Sequence, residues 1–543
     1  MSLYSILSAR RIIASCLLAI LTAGNCTGNW LHAAERVDFH FDDMTIPIPI
    51  DELNLWNSDL NKKNSDKLID PTNKSELSFW LNMLGFKSRE ALSEFLETPL
   101  VKDKSMARQL LRSWVGRKLL DQISDLVVLD QDKTGIKVFN TLEILLEEQE
   151  TVSLLDLLKA LPAEVIHLDL DGWFKVLDNW RNELKLQQKL LTDLRDLSPK
   201  VSLLTPLQNT DRGLKESLNE FVAINASHRS EQLKVQVWKP LKRKISRENW
   251  IAFMPGLGGD QDHFRWLARS LSHQGWEVVI LDHPGSNTKA MHSLVEGTDP
   301  FPGGAEVFLY RLADLQAVLK AKKEGTIDLK GKRLVLMGHS LGALTAFFAS
   351  GALPQKGLEG RCNQALYDLS ITNLSRLLQC QIVDIPLEKT KGISYLSAIV
   401  GINSFGKLLW PESLSAETNV PVFLTGGTFD LITPAISEQL GLLLSTKPNK
   451  FSRALIVEGA SHFSPIEVDE QEDQTINSDI YQISDALVGS HPSSVRSILA
   501  TEIIRFLDNL EKEKPLTVKT NNLSTNLKFH IIDRISIKKI IAN

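Results

Sequence analysis

Hydrophobic positions change their period along the chain, and the changes divide it into regions. Apolar residues alternate over "VDFHF" and "TIPIPI", which predicts one or two short strands near residues 37–50. From about residue 51 to 197, apolar residues recur at helical spacing in successive amphipathic segments. From about residue 232, short apolar runs alternate with amphipathic segments, which is typical of strands and helices in turn.

The alternating region predicts an α/β fold with a mostly parallel sheet, because such strands are covered by helices on both faces. We expect this sheet domain over residues 227–513, preceded by a mainly helical N-terminal domain over residues 35–226. Residues 353–392 form an insertion that could overhang a site as a lid or pack elsewhere as a surface helix. Residues 514–543 are expected to be a C-terminal tail, and their role is not assigned.

The first residues have the layout of a secretory signal. Arg10 and Arg11 precede an apolar segment over residues 12–24, and small residues follow up to Ala34. We therefore expect residues 1–34 to be removed on export to the periplasm or outside the cell. An uncleaved membrane anchor is the alternative, although the apolar segment is shorter than the roughly 20 residues that a bilayer requires.

Composition narrows the classes of function. The chain has 543 residues and a formal net charge of −5, with acidic and basic residues interspersed, so nucleic acid is not an expected partner. Of four cysteines, Cys362 and Cys380 lie beyond the predicted signal and are candidates for a disulfide, or else two buried thiols. Neither has a histidine or further cysteine at ligand spacing, so no metal site is expected.

One serine lies where a buried strand turns into a buried helix. The segment "GHSLG" at residues 338–342 has the spacing of a nucleophile elbow, and Ser340 is its central residue. A serine nucleophile needs a histidine base and an orienting carboxylate. Asp430 follows the predicted strand "VPVFLTGG", and His462 follows "RALIVEGA". Asp430 could instead cap its own turn, in which case acidic residues within 469–473 are the substitutes.

Acyl transfer also needs backbone donors for the oxyanion. The N–H group of Leu341, directly after the serine, is one candidate. The second lies in "PGLGG", where the amides of Gly256, Leu257 and Gly258 are candidates. A phosphate-binding loop is the alternative for these glycines, but their spacing fits neither of the common phosphate motifs.

The stretch "PGLGGDQDHFRWLARSLSHQGWEVVILDHPG", the Ser340 elbow, Asp430 and "EGASHFS" together resemble the α/β-hydrolase superfamily over roughly residues 232–512. The nearest likeness is to dienelactone-hydrolase-like and platelet-activating-factor acetylhydrolase-like serine esterases. The N-terminal region resembles a domain of unknown function found ahead of such hydrolases in photosynthetic bacteria. This resemblance implies a Ser340–His462–Asp430 triad but no substrate. Many relatives have His-Gly where this chain has Pro255-Gly256, a change that leaves the backbone donors intact.

The sequence therefore predicts a serine hydrolase that cleaves small-molecule or lipid esters through an acyl-enzyme, with no cofactor. A thioesterase, lipase or peptidase would use the same residues, and a binding protein that retains the fold is an alternative of another class. His263, Asp282 and His283 also lie near strand ends, and we interpret them as structural or pocket-lining. Membrane contact is expected only through an uncleaved N-terminal segment.

Overall fold

A computed structural model of the chain describes residues 34–41, 44–51, 99–101, 126–129, 135–149, 152–169, 171–172, 185–186, 188–196, 218–241, 247–290, 304–367, 373, 375–388, 391–414, 419–467, 491–522 and 527–542. The chain has two compact units. Residues 1–100 and 123–170 form the N-terminal unit, and residues 101–122 and 171–543 form the main unit. Among the described residues, no helix combines the length and apolar character needed to cross a bilayer.

The described part of the N-terminal unit contains a four-stranded sheet, a two-stranded sheet and two helices. The elements described from its start to its end are β1 (Arg36–Phe41), β2 (Met44–Pro49), β3 (Pro99–Val101), β4 (Val127–Leu129), α1 (Ile136–Glu148), β5 (Val152–Ser153), α2 (Leu154–Ala160) and β6 (Val165–Asp169). The four-stranded sheet has the order β2-β1-β6-β4, and only its β1–β6 pair is parallel, while β3 and β5 form the two-stranded sheet. Helix α2 begins with a capping box between Ser153 and Asp156, which satisfies backbone donors that the first turn leaves open.

The expectation of a mainly helical N-terminal domain is wrong for the part that the structure describes. The predicted strands near residues 37–50 are confirmed as β1 and β2, but β4 and β6 add to them. In β6, Ile166 and Leu168 are buried while their neighbours are half-exposed, which is the two-residue period of a strand. Apart from residues 99–101, which form β3 and not the predicted helix, the helices predicted over residues 75–125 lie outside the described residues.

The main unit is built on a ten-stranded sheet, and the predicted alternation of strands and helices is confirmed. Its strands are β7 (Leu218–Ile224), β8 (Leu233–Lys239), β9 (Asn249–Met254), β10 (Glu277–Leu281), β11 (Arg333–His339), β12 (Leu396–Ile402), β13 (Val422–Gly427), β14 (Arg453–Val457), β15 (Lys519–Asn522) and β16 (Lys528–Ile532). The strand order is β15-β16-β14-β13-β12-β11-β9-β10-β8-β7. The six strands from β14 to β10 in this order are parallel, and both ends of the sheet are antiparallel.

Helices cover both faces of this sheet. They are α3 (Arg265–His273), α4 (Gly304–Lys323), α5 (Leu341–Ala349), α6 (Leu358–Tyr367), α7 (Ser375–Gln381), α8 (Gly441–Ser445), α9 (Pro492–Glu511) and α10 (Arg534–Ala542), with short 3₁₀ or π turns at Asp262–Phe264, Ile382–Asp384 and Ile436–Leu440. Trp250 and Ala252 of β9 belong to one apolar cluster, while Ile251 and Phe253 belong to another. Successive residues of a strand point to opposite faces, so both faces are buried as a parallel sheet requires.

The boundaries of the main unit differ from those expected. Strand β7 pairs with β8, so the sheet begins before residue 227, and Leu190 and Leu194 belong to its apolar core. The expected tail at 514–543 instead contributes β15, β16 and α10, and β16 pairs antiparallel with β14. These added strands are short, so their sequence pattern is weak without the edge that they pair with.

Candidate active site

Ser340 occupies a sharp corner between β11 and α5. Its backbone has φ 51°, a left-handed conformation that costs a residue with a side chain about 1–3 kcal/mol. Its hydroxyl makes no capping bond to α5. A Cβ on Gly338 would lie 2.3 Å from the backbone carbon of Gly342, and one on Gly342 would lie 1.9 Å from the carbonyl oxygen of Met254. Both glycines are therefore required for the corner to form.

Asp430 and His462 are in direct contact at the same edge of the sheet. Asp430 follows β13 and His462 follows β14, two adjacent parallel strands whose carboxyl ends lie together. Nδ1 of His462 lies 3.0 Å from Oδ2 of Asp430, and both side chains are buried. A carboxylate can only accept, so Nδ1 carries the proton of the neutral ring and Nε2 is left as the basic nitrogen.

Two residues that sequence reasoning missed complete the surroundings of Asp430. Nδ2 of Asn403 donates to Oδ2 of Asp430 at 2.7 Å, and the Thr433 hydroxyl donates to the same oxygen at 2.6 Å. The backbone N–H groups of Ile432 and Thr433 donate to Oδ1 at 3.0 and 2.7 Å. Asn403 directly follows β12, so its place at a strand end was a signal that could have found it.

These contacts control the charge of Asp430. Burial alone would raise the pKa of this carboxyl, but attraction to His462 and hydrogen bonds from His462 and Thr433 outweigh burial and hold the pKa below its ordinary value. The carboxylate is thus ionised beside the ring that it orients.

His339 links the serine corner to the histidine loop. Its Nε2 lies 3.1 Å from the carbonyl oxygen of His462, and the two rings have centroids 4.9 Å apart. Burial, and then repulsion from His462, lowers the pKa of His339 to about 3, so this ring is neutral. A carbonyl only accepts, so Nε2 of His339 is the donor. Ser340, the next residue, is thereby held beside the loop that carries His462.

The two candidate sources of oxyanion donors have different surroundings. Leu341 is the first residue of α5, where a helix leaves its N–H without an intrahelical acceptor. In the second source, called here the oxyanion loop (residues 255–259), the N–H of Gly258 donates to the carbonyl of Ser286 at 2.7 Å. The expectation for the Gly258 amide is therefore wrong, because that donor is engaged. Gly256 lies against the corner, since a Cβ on it would be 3.3 Å from Cβ of Ser340.

The insertion at residues 353–392 contains α6 and α7, which a disulfide between Cys362 and Cys380 joins. Both cysteines are buried. The N–H of Ser375, at the start of α7, donates to the carbonyl of Ile432 at 2.9 Å. The insertion thus contacts the loop that carries Asp430, at a residue two positions after the buried acid.

The other strand-end residues hydrogen-bond within their own loops or to a neighbouring helix. Nδ1 of His263 accepts from the N–H of Asp260 at 3.0 Å, and Asp282 accepts from Asn287 at 2.9 Å. Burial raises the pKa of Asp282. His283 is buried and lies 2.9 Å from Asp314 on α4, in a second histidine–aspartate pair that the sequence did not reveal. The alternative acids within residues 469–473 lie outside the described residues.

Comparison with known families agrees with this architecture. A family model described as "Alpha/beta hydrolase of unknown function (DUF1400)" matches residues 33–169, and one described as "alpha/beta hydrolase fold" matches residues 249–356, from β9 through the Ser340 corner and α5. No curated protein matches the chain. Within the described part of the chain, no group of three His, Cys, Asp or Glu residues is arranged to hold a metal. The sheet topology and the second match show that the chain has an α/β-hydrolase fold. This fold supports a hydrolase activity.

Proposed function

We propose that the protein is a serine hydrolase that cleaves carboxylic esters, with Ser340 as nucleophile, His462 as general base and Asp430 as the carboxylate that orients His462. The observation that carries the proposal is the buried Asp430–His462 contact at the strand ends next to a strained serine corner. Burying polar groups of this kind is energetically costly. The pair lies at the carboxyl ends of parallel strands, which is where proteins with α/β sheets bind their ligands.

The proposed reaction has two halves. Oγ of Ser340 bonds to the ester carbonyl carbon while its proton passes to Nε2 of His462, and Asp430 stabilises the imidazolium. Amides of Leu341 and of the oxyanion loop stabilise the negative charge that develops on the carbonyl oxygen. His462 then protonates the leaving alcohol. In the second half, water attacks the acyl-enzyme with the same proton route and releases the acid.

Apolar side chains beside the proposed catalytic residues favour substrates with hydrocarbon groups. Phe429 and Leu431, on either side of the buried Asp430, have exposed fractions of 60% and 42%. Phe463 follows His462 and packs edge-on against its ring, with centroids 5.5 Å apart. Large exposed apolar groups beside a polar site are typical of a surface that binds an apolar ligand. We therefore expect esters of longer acyl chains to be better substrates than acetates.

Hydrolysis of p-nitrophenyl esters from acetate to long acyl chains tests this function. The protein without residues 1–34 is compared with its Ser340→Ala variant, and acyl thioesters are included in the panel. We expect cleavage of some member and a loss of at least about 10³-fold in the variant. Equal activity in both proteins would show that Ser340 is not the nucleophile, and a preference for thioesters would make the protein a thioesterase.

We also propose that the protein is exported. The Cys362–Cys380 disulfide supports this location, because disulfides persist mainly in oxidising compartments. N-terminal sequencing of the protein recovered from its native cells tests the cleavage site. A mature chain that begins near residue 35 is expected, whereas a chain that retains residues 1–34 in the membrane fraction would indicate an anchor.

A further inference from the structure

Arg311 is a fully buried arginine on α4 that binds the backbone of the oxyanion loop. Its guanidinium donates to the carbonyl oxygen of Pro255 and, in a longer contact of 3.5 Å, to that of Gly256. It also donates to Oγ of Ser286 at 2.7 Å. Burying a cation is energetically costly. A guanidinium that donates hydrogen bonds to backbone carbonyls fixes the direction of those carbonyls.

The direction of a carbonyl determines the direction of the next amide. A trans peptide unit is planar, so its C=O and N–H groups point to opposite sides, and none of the described peptide bonds is cis. The carbonyl of Gly256 shares its plane with the N–H of Leu257, and the carbonyl of Pro255 shares its plane with the N–H of Gly256. Both amides therefore point away from Arg311.

The oxyanion loop lies between Arg311 and the serine corner. A Cβ on Gly256 would lie 2.8 Å from Nδ1 of His339 and 3.3 Å from Cβ of Ser340, so the loop touches the corner as closely as a glycine allows. Ser286 contacts both Arg311 and the oxyanion loop. Its hydroxyl accepts from Arg311, and its carbonyl accepts from the N–H of Gly258 at 2.7 Å.

We propose that Arg311 is a positioning residue of the oxyanion loop, which by binding the carbonyls of Pro255 and Gly256 directs the amides of Gly256 and Leu257 toward the oxyanion that forms when Ser340 attacks. This inference rests on the proposed ester hydrolysis. In that step the Ser340 oxygen bonds to the carbonyl carbon, the carbonyl π electrons move to oxygen, and the serine proton passes to His462. Arg311 touches neither substrate nor reacting atoms and acts only through the loop.

The test compares Arg311→Lys and Arg311→Met with a matched control, Arg453→Met. Arg453 is also buried and donates to three backbone carbonyls, those of Leu516, Lys450 and Ser452. It is the first residue of β14, at the opposite end of that strand from His462, so it offers the same kind of anchor away from the site. Ser286→Ala, which removes only one hydroxyl, serves if both Arg311 variants fail to fold.

Three readouts separate positioning from a general loss of structure. A fluorophosphonate titration counts competent sites, steady-state kinetics gives kcat per competent site and KM, and inhibition by a trifluoromethyl ketone reports oxyanion binding. We expect both Arg311 variants to lose about 10- to 100-fold in kcat and to bind the ketone correspondingly more weakly, with KM within about threefold, because a lost oxyanion donor costs about 10²–10³-fold. Ser286→Ala should lose about 3- to 10-fold, and Arg453→Met should keep its kcat per site.

The inference is overturned by kcat per site within about threefold of the parent in the Arg311 variants, or in Ser286→Ala if only that variant folds. An equal loss in Arg453→Met would also overturn it. Failure of the proposed function gives a different result, namely a parent protein that neither hydrolyses the ester panel nor reacts with the fluorophosphonate at Ser340.

Discussion

The described residues of the main unit include two buried histidine–aspartate pairs with nearly the same geometry and different surroundings. Nδ1 of His462 lies 3.0 Å from Asp430, and Nδ1 of His283 lies 2.9 Å from Asp314. All four side chains are buried. Contact between an imidazole and a carboxylate is therefore not enough to identify a catalytic pair.

The charges around each aspartate explain the difference. Asp314 receives two hydrogen bonds from the guanidinium of Arg229, at 2.9 and 2.7 Å, and one contact from His228 at 2.7 Å. Hydrogen bonds from His283 and Arg229 outweigh burial and hold the pKa of Asp314 well below its ordinary value. Apart from His462, the groups that bind Asp430 are neutral amides and a hydroxyl. The negative charge of Asp430 therefore acts on His462, because the other groups that bind this carboxylate are uncharged.

Positive charge also surrounds His283. Burial, followed by repulsion from Arg311, lowers the pKa of His283 to about 4. A ring beside two guanidinium groups cannot easily accept a proton from a nucleophile. The comparison indicates that the second pair is structural, because its carboxylate already neutralises an arginine. We expect mutations of matched kind to give different results at the two pairs.

The largest contrast is expected from His462→Asn and His283→Asn. Asparagine keeps a donor near the position of Nδ1 but removes Nε2. His462→Asn should lower kcat by at least about 10³-fold, because the base is lost. His283→Asn should leave kcat per competent site within about threefold. Kinetics normalised by active-site titration measures both, and a catalytic loss of similar size in the two variants would remove the distinction.

The aspartates sharpen the comparison through stability as well as rate. Asp430→Asn should lower kcat by about 10³–10⁴-fold, because His462 loses the carboxylate that orients its ring and stabilises its protonated form. Asp314→Asn should instead lower the free energy of unfolding by about 3–5 kcal/mol, since it leaves Arg229 as an uncompensated, largely buried charge. Urea unfolding and kinetics on the same samples give both quantities. A stability loss confined to Asp430→Asn would contradict the assignment.

Thr433→Val removes the hydroxyl donor to Asp430 and keeps the side-chain shape. The backbone donors to Oδ1 and the Asn403 amide remain, so the carboxylate stays bound but less firmly fixed. We expect kcat to fall about tenfold. Loss of a side chain that hydrogen-bonds to a functional group from behind typically lowers activity about 10- to 100-fold. A rate like that of Asp430→Asn would mean that the hydroxyl, not the carboxylate, is the essential partner of His462.

The smallest effect concerns pH. His283 and His339 have pKa values lowered to about 4 and about 3, whereas an unfolded histidine titrates near 6.5. The unfolded chain therefore binds protons first as pH falls, and the free energy of unfolding should decrease below about pH 6.5. Each ring contributes a slope of at most about 1.4 kcal/mol per pH unit. Unfolding measured from pH 8 to 4.5 should show a flatter slope in His283→Asn, and an unchanged slope would contradict a buried neutral His283.

Strand ends made much of the candidate site predictable. Parallel strands bring their carboxyl ends together, so Ser340, Asp430 and His462 could be grouped from the residues that follow three apolar runs. Asn403 obeys the same rule, but an asparagine after a strand also has an ordinary turn role, and no motif distinguishes the two. Thr433 could not be found, because its contact with Asp430 depends on the turn that the chain makes between them.

The failures have physical causes. The Gly258 amide was a reasonable oxyanion donor until the structure showed the carbonyl of Ser286 opposite it, a partner almost 30 residues away. Strand β6 and the strands after residue 514 are too short for their alternation of apolar and polar residues to be recognised beside longer neighbouring patterns. Arg311 carries no local signal, since an arginine on an amphipathic helix ordinarily faces water.

The most direct test of the central claim is the site of covalent modification by a fluorophosphonate. The protein is labelled at neutral pH, digested, and mapped by mass spectrometry, with His462→Asn labelled in parallel. We expect one adduct on Ser340 that forms rapidly in the parent and at least about 10²-fold more slowly in His462→Asn. An adduct on another serine, or equal labelling of Ser340 in both proteins, would contradict a Ser340–His462–Asp430 triad.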